Sequence, residues 1–203
     1  MIKTLSDINE VHLDVLREIG NIGAGNAAMS LSVLLNENVH IALSEVHIES
    51  FENVISHLGG PEKQVVTVVV NFYGDANGVV FFILSLEDAD RITDILSSQT
   101  FSEEVGEEMK LSAIMEIGNI LGYSFLGSIA TLTGMEIKVD VPHVSRDMIG
   151  AIMADPIAIY GASDNKVMFV EESFRSDFSN LYSHVILFAE MDTLNQIMHR
   201  LGL

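Results

Sequence analysis

The chain has 203 residues, 48% of them hydrophobic, which suffices for one domain with a real core or two small ones and is too apolar for a disordered acidic tail. Ten Lys and Arg stand against twenty-nine Asp and Glu, a formal charge of -19 with no local basic cluster, which speaks against nucleic acid and anionic lipid; the acidity maintains solubility, reflects a salty cytoplasm, or meets a partner that presents positive charge. With no cysteine there is no disulfide scaffold, thiolate metal site or cysteine nucleophile.

The N-terminal stretch is broken by Asp7, Asn9, Glu10 and Asp14 before a signal-peptide core could form, and no unbroken apolar run reaches the ~18 residues of a membrane helix, so the expected location is the cytoplasm. Residues 9 to 36 are patterned as a long helix, although REIGNIGAGN (17–26) places Gly20, Gly23 and Gly25 inside it. A strand-like VHIALSEVHI (39–48) and a short apolar segment FENVISHL (51–58) follow. A hairpin over residues 65–84 turns through 74–78, and EDADRITDILSS (87–98) reads as a helix. The plan then recurs: a long helix (about 103–133), a strand MEIKVDV (135–141), the segment RDMIGAIMADPIAIYG (146–161), strands KVMFVEES (166–173) and YSHVILFAEM (182–191), and a helix DTLNQIMHRLG (192–202). Around residues 148–160 the pattern fits helix, strand or both.

The recurrence extends to residues. A shift that carries Glu18 onto Glu116 also carries Leu13, Ile19, Gly20, Asn21, Ile22, Ser30, Leu34 and Val46 onto identical residues in the second half. The expected fold is a single α/β domain over 1–203, with a pseudo-twofold repeat of helix-strand-hairpin-helix halves (about 9–100 and 103–203). The halves would share one β-sheet flanked by the two long motif-bearing helices, because a three-stranded half would leave apolar edges exposed.

Positions i, i+4 and i+7 share a helix face, so Asp14, Glu18 and Asn21 form one polar line and Ser112, Glu116 and Asn119 another. Leu13, Leu16 and Ala27, with Leu111, Ile114 and Phe125, would face the core. A carboxylate can anchor a cation, and a carboxamide one turn on offers both donor and acceptor to a water. A solvated face without a task is the plainer reading of one such line, and two copies in register weaken it. Mid-helix glycine costs about 1 kcal/mol relative to alanine, so Gly20 and Gly118 suggest close approach to the backbone, while helix packing accounts for Gly23 and Gly25. GNIGAGN fits neither dinucleotide nor Walker loops, having the wrong glycine order and no Gly-Lys-Ser/Thr. No histidine pair has helical ligand spacing, His40 and His47 are expected on opposite faces of a strand, and no metal site is expected in this chain.

DVLREIGN (14–21) and SAIMEIGN (112–119) resemble the motif of the CheC, CheX and FliY phosphatases of bacterial and archaeal chemotaxis: Asp or Ser, three residues, Glu, two residues, Asn, then a proline further on. Pro142 stands at that place after the second copy and Ser44 after the first. The resemblance covers essentially the whole chain. Two motifs match CheC and FliY better than the usually single-motif CheX, and the lack of FliY's added flagellar-switch domain points to a stand-alone CheC type.

The resemblance implies hydrolysis of the aspartyl phosphate on the response regulator CheY. It implies that Asn21 and Asn119 orient the attacking water, that Glu18 and Glu116 bind the regulator's lysine, and that Asp14 and Ser112 support the edge of the contact. Gly20 and Gly118 would let the two backbones approach. Mg2+ would come with the regulator, and this chain would need no cofactor of its own. Three further readings stand beside it: a non-catalytic adaptor, an unrelated small-molecule enzyme, for which no nucleophile or loop is found, and control of the deamidase CheD through the helix-like stretch around Asp147.

Overall fold

Asn9 opens the first long helix, accepting from the His12 amide at 3.1 Å while its own N–H reaches His12 Nδ1 at 3.2 Å. In the computed structural model, which describes residues 2–100, 106–161, 165–175 and 180–203, this helix is α1 (Glu10–Leu35). Asn36 ends it in the left-handed conformation, which asparagine tolerates better than most residues with a side chain. The order continues β1 (His40–Ser50), α2 (Phe51–His57), β2 (Gln64–Gly74), β3 (Gly78–Ser85) and α3 (Leu86–Thr100). The second half gives α4 (Glu107–Thr133), β4 (Ile137–Val139), β5 (His143–Met148), α5 (Ile149–Tyr160), β6 (Lys166–Arg175), β7 (Asn180–Ala189) and α6 (Met191–Arg200). Residues 101–105, where the second long helix was expected to begin, lie outside the described residues.

The strands join in one antiparallel sheet ordered β1-β6-β7-β3-β2-β4, with β5 pairing β2 alongside β4. A shared sheet is what the apolar edges of a three-stranded half require. Each hairpin takes its outer partner from the other half: β1 pairs with β6, and β4 and β5 pair with β2.

Strict alternation divides the sheet between two cores. Val66, Val68 and Val70 of β2, with Val80 and Phe82 of β3, face α1, α3, α4 and α6. Val65 of β2, Val79, Phe81 and Ile83 of β3, and Ile186 and Phe188 of β7 face α2 and α5 through Phe51, Val54, Ile149 and Met153. Both long helices therefore lie on one face of the sheet.

Several expectations need correction. His40 and His47 share a face, because β1 carries one extra residue between Leu43 and Glu45: His40 pairs with Arg175 and His47 with Phe169, an even step along β6. Leu111 is 44% exposed, so the core face of α4 runs through Ile114, Ile117, Leu126 and Ile129 instead. The ambiguous segment is both strand and helix, β5 then α5, with Pro156 buried inside the helix. Finally, α4 has an 18-residue window apolar enough in composition to cross a membrane, which a search for unbroken apolar runs passes over. Its apolar side is packed in the core, and its outer side carries Glu116 and Asn119.

Candidate functional site

The two polar lines stand on the outer faces of α1 and α4. Leu16, Ile19, Gly20, Gly23 and Ala24 are buried on the inner side of α1, and Ile114, Ile117, Gly118 and Gly122 on that of α4. Rotation about the helix axes leaves Asp14, Glu18 and Asn21 exposed, as are Ser112 and Glu116, while Asn119 is half-buried. These polar side chains are thus held by helices anchored on their opposite faces.

Contact between the helices is close. A Cβ on Gly23 would stand 3.0 Å from the Cα of Phe125, and Asn26 Nδ2 donates to Ser128 Oγ at 3.5 Å. Gly23 is therefore a helix-packing glycine, as expected. Gly25 is not: it is exposed and nothing lies within 4 Å of where its Cβ would be.

Gly118 and Gly20 serve a different purpose from the one expected. A Cβ on Gly118 would overlap the side chain of Val68, and one on Gly122 would meet Val70 Cγ1 at 3.0 Å, so these glycines let α4 settle onto β2. Gly20 is likewise buried, facing the interior with Ile19 and Gly23. Neither offers bare backbone to a partner. The close fit at Gly118 and Gly122 fixes the height at which Glu116 and Asn119 are presented.

The two copies differ at their first polar position. Asp14 is paired with Arg17 Nη1 at 2.5 Å, an ion pair that the sequence reading did not single out although i, i+3 spacing signals it. Ser112 carries no charge in the corresponding place. Exposed apolar side chains also border the lines, Val11 and Ile22 on α1 and Met109 and Tyr123 on α4. They were legible only as departures from amphipathic patterning.

Pro142 and Asp147 stand away from both lines. Pro142 is buried in the break between β4 and β5, and its counterpart Ser44 is the extra residue of the irregularity in β1, so both copies interrupt the strand at the same place. Asp147 lies on β5, opposite Val65, rather than on a helix; it is exposed and its Oδ1 accepts from the Met148 amide at 2.7 Å. Among the described residues no group of three or more His, Asp or Glu is placed to hold a metal ion.

The chain belongs to the CheC family. The CheC-like family model matches residues 11–42 and the chemotaxis phosphatase CheX model residues 66–156. The CheY-P phosphatase CheC of Bacillus subtilis is 31% identical over 200 residues, 96% of each chain. Among solved structures, FliY of Thermotoga maritima is similar over 96% of this chain and 97% of its own, with 25% identity and a TM-score of 0.75. CheX of Borrelia burgdorferi, in a complex with CheY, BeF3 and Mg2+, shares the fold over 83% of this chain and 96% of its own, with 17% identity and a TM-score of 0.50.

Proposed function

We propose that this protein hydrolyses the aspartyl phosphate of a CheY-type response regulator, with one site on α1 and one on α4. The observation that carries this reading is the pair of Glu/Asn lines on the outer helix faces, Glu18 with Asn21 and Glu116 with the half-buried Asn119, each on a helix locked to the core by its other face. The name of the Bacillus subtilis relative supports the reaction, and the Borrelia burgdorferi complex supports the kind of partner.

Phosphoryl transfer to water needs an in-line nucleophile and neutralised charge, with little covalent chemistry from the catalyst. In this reading the regulator brings Mg2+ and a lysine. Glu18 or Glu116 pairs with that lysine and sets the register of the helix, and the amide of Asn21 or Asn119 orients the attacking water. Asp14 and Ser112 support the edge, while Gly20, Gly118 and Pro142 support the scaffold from within. Orienting one water accounts for about a 10²-fold gain in rate, or ~3 kcal/mol of barrier.

We further read the chain as one domain whose halves are related by a pseudo-twofold axis, acting in the cytoplasm where its regulator is. Contact with the deamidase CheD would involve Asp147 and the neighbouring α5, whose outer side exposes Ile157 and Ile159. A titration with purified CheD that shows no association up to high micromolar concentration removes that contact.

The test of the main reading is the decay of the phosphorylated regulator with Mg2+ and catalytic amounts of this protein. Faster decay establishes the phosphatase. Unchanged decay with retained binding makes the protein an adaptor.

A further inference from the structure

The line on α4 continues beyond Asn119. Eleven residues make three turns of an α-helix, so places i, i+4, i+7 and i+11 fall on one line, and the fourth place after Ser112, Glu116 and Asn119 is Tyr123. Tyr123 is 53% exposed. The fourth place on α1, after Asp14, Glu18 and Asn21, is Gly25, with open space where a side chain would be. Two lines alike in Glu and Asn thus differ at one end by a whole aromatic side chain.

The other end differs in the same sense. Position 14 of α1 holds a carboxylate paired with Arg17, whereas α4 has the uncharged Ser112; one turn before each, Val11 and Met109 are both exposed. The α4 line therefore begins on an uncharged serine and ends on a tyrosine, whereas the α1 line begins on an ion pair and ends on a glycine. Tyrosine supplies a large, rigid contact area with few torsions to freeze, and it is enriched among the residues that dominate binding energy at interfaces.

Resting on the reading that the regulator docks along these lines, we propose that Tyr123 is a specificity-determining contact for the phosphorylated regulator at the α4 site. It packs on an apolar patch beside the regulator's phosphorylated carboxylate. The α1 site lacks this contact and binds the regulator more weakly.

Single-site proteins separate the effects. Asn21→Ala leaves only the α4 site competent, and adding Tyr123→Ala raises KM about tenfold while kcat holds. Asn119→Ala leaves only the α1 site, where Tyr123→Ala changes nothing and Gly25→Tyr lowers KM. A general structural effect of Tyr123 would move both backgrounds alike. Titration of each variant with the regulator loaded with beryllofluoride and Mg2+ reads the same contact without hydrolysis, so it stands even if the protein proves to be an adaptor. An unchanged KM and affinity for Tyr123→Ala at the α4 site, or equal losses at both sites, overturn the proposal.

Discussion

Gly118 of α4 lies over Val68 of β2 so closely that a Cβ at this glycine would overlap the valine side chain. The contact is buried on both sides, so the helix cannot slide outward without opening the core. Glu116 and Asn119, two residues before and one after, take their positions from it.

This relationship predicts opposite signs for two glycine substitutions. Gly118→Ala overpacks the helix against the sheet and destabilises by about 1–3 kcal/mol. Gly25→Ala replaces a helical glycine in open space and stabilises by about 0.5–1 kcal/mol. Urea unfolding midpoints of both variants check the pair; a shift in the same direction for both would contradict the packing described here.

Loss of the two carboxamides separates chemistry from folding. The Asn21→Ala/Asn119→Ala variant loses all acceleration of regulator dephosphorylation, whereas each single variant keeps one working site. Asn21 is exposed and Asn119 half-buried, neither in the core, so the double variant unfolds within about 1 kcal/mol of the parent. Loss of all activity in either single variant would show that the sites depend on each other.

His184 makes stability sensitive to acid. It stacks on Phe169 with ring centroids 5.4 Å apart, and its Nδ1 is buried without a hydrogen-bond partner among the described residues. Burial pushes its pKa below the ordinary histidine value, against the pull of Glu171 and with a further push from His57. The folded state thus binds its proton less readily than the unfolded chain does. The stability from a neutral His184 is complete above the unfolded pKa of about 6.5 and is lost as the pH falls through the lower folded pKa. His184→Phe should flatten unfolding midpoints measured between pH 8 and pH 5, and an unchanged slope would refute this role.

Metal dependence should reside with the partner. Chelation with EDTA stops the accelerated decay of the phosphorylated regulator, and excess Mg2+ restores it. The melting temperature of this protein alone should not move on adding Mg2+. A rise of several degrees would reveal an ion bound by the chain itself.

What the sequence disclosed followed from local physics. The ends of α1 are written in Asn9 and Asn36, and the hairpin turn in residues 74–78. The polar lines were legible from spacing alone, because a helix fixes which residues share a face. Which way a small residue beside such a line turns is not local information: Gly20 and Gly118 could be read as open backbone until the sheet beneath them was known. Ser44 is harder still. One inserted residue leaves no mark on composition, yet it reverses the facing of the residues on one side of it, which is why His40 and His47 end on one face. Tyr123 gives no such signal, because an aromatic at helical spacing fits a core position as well as an exposed one until its exposure is seen.

The exchange of outer strands between the halves sets the order in which the molecule can be made. β1 is synthesised early, but its strand partner among the described residues is β6, near the other end of the chain, and the outer edge of β2 waits likewise for β4 and β5. Most of the sheet thus closes through contacts distant in sequence, the kind that slow folding and concentrate it into one late, cooperative event. A nascent chain halted after α3 would hold β1 with no partner and β2 and β3 paired only with each other, leaving apolar edges for which its own half contains no cover.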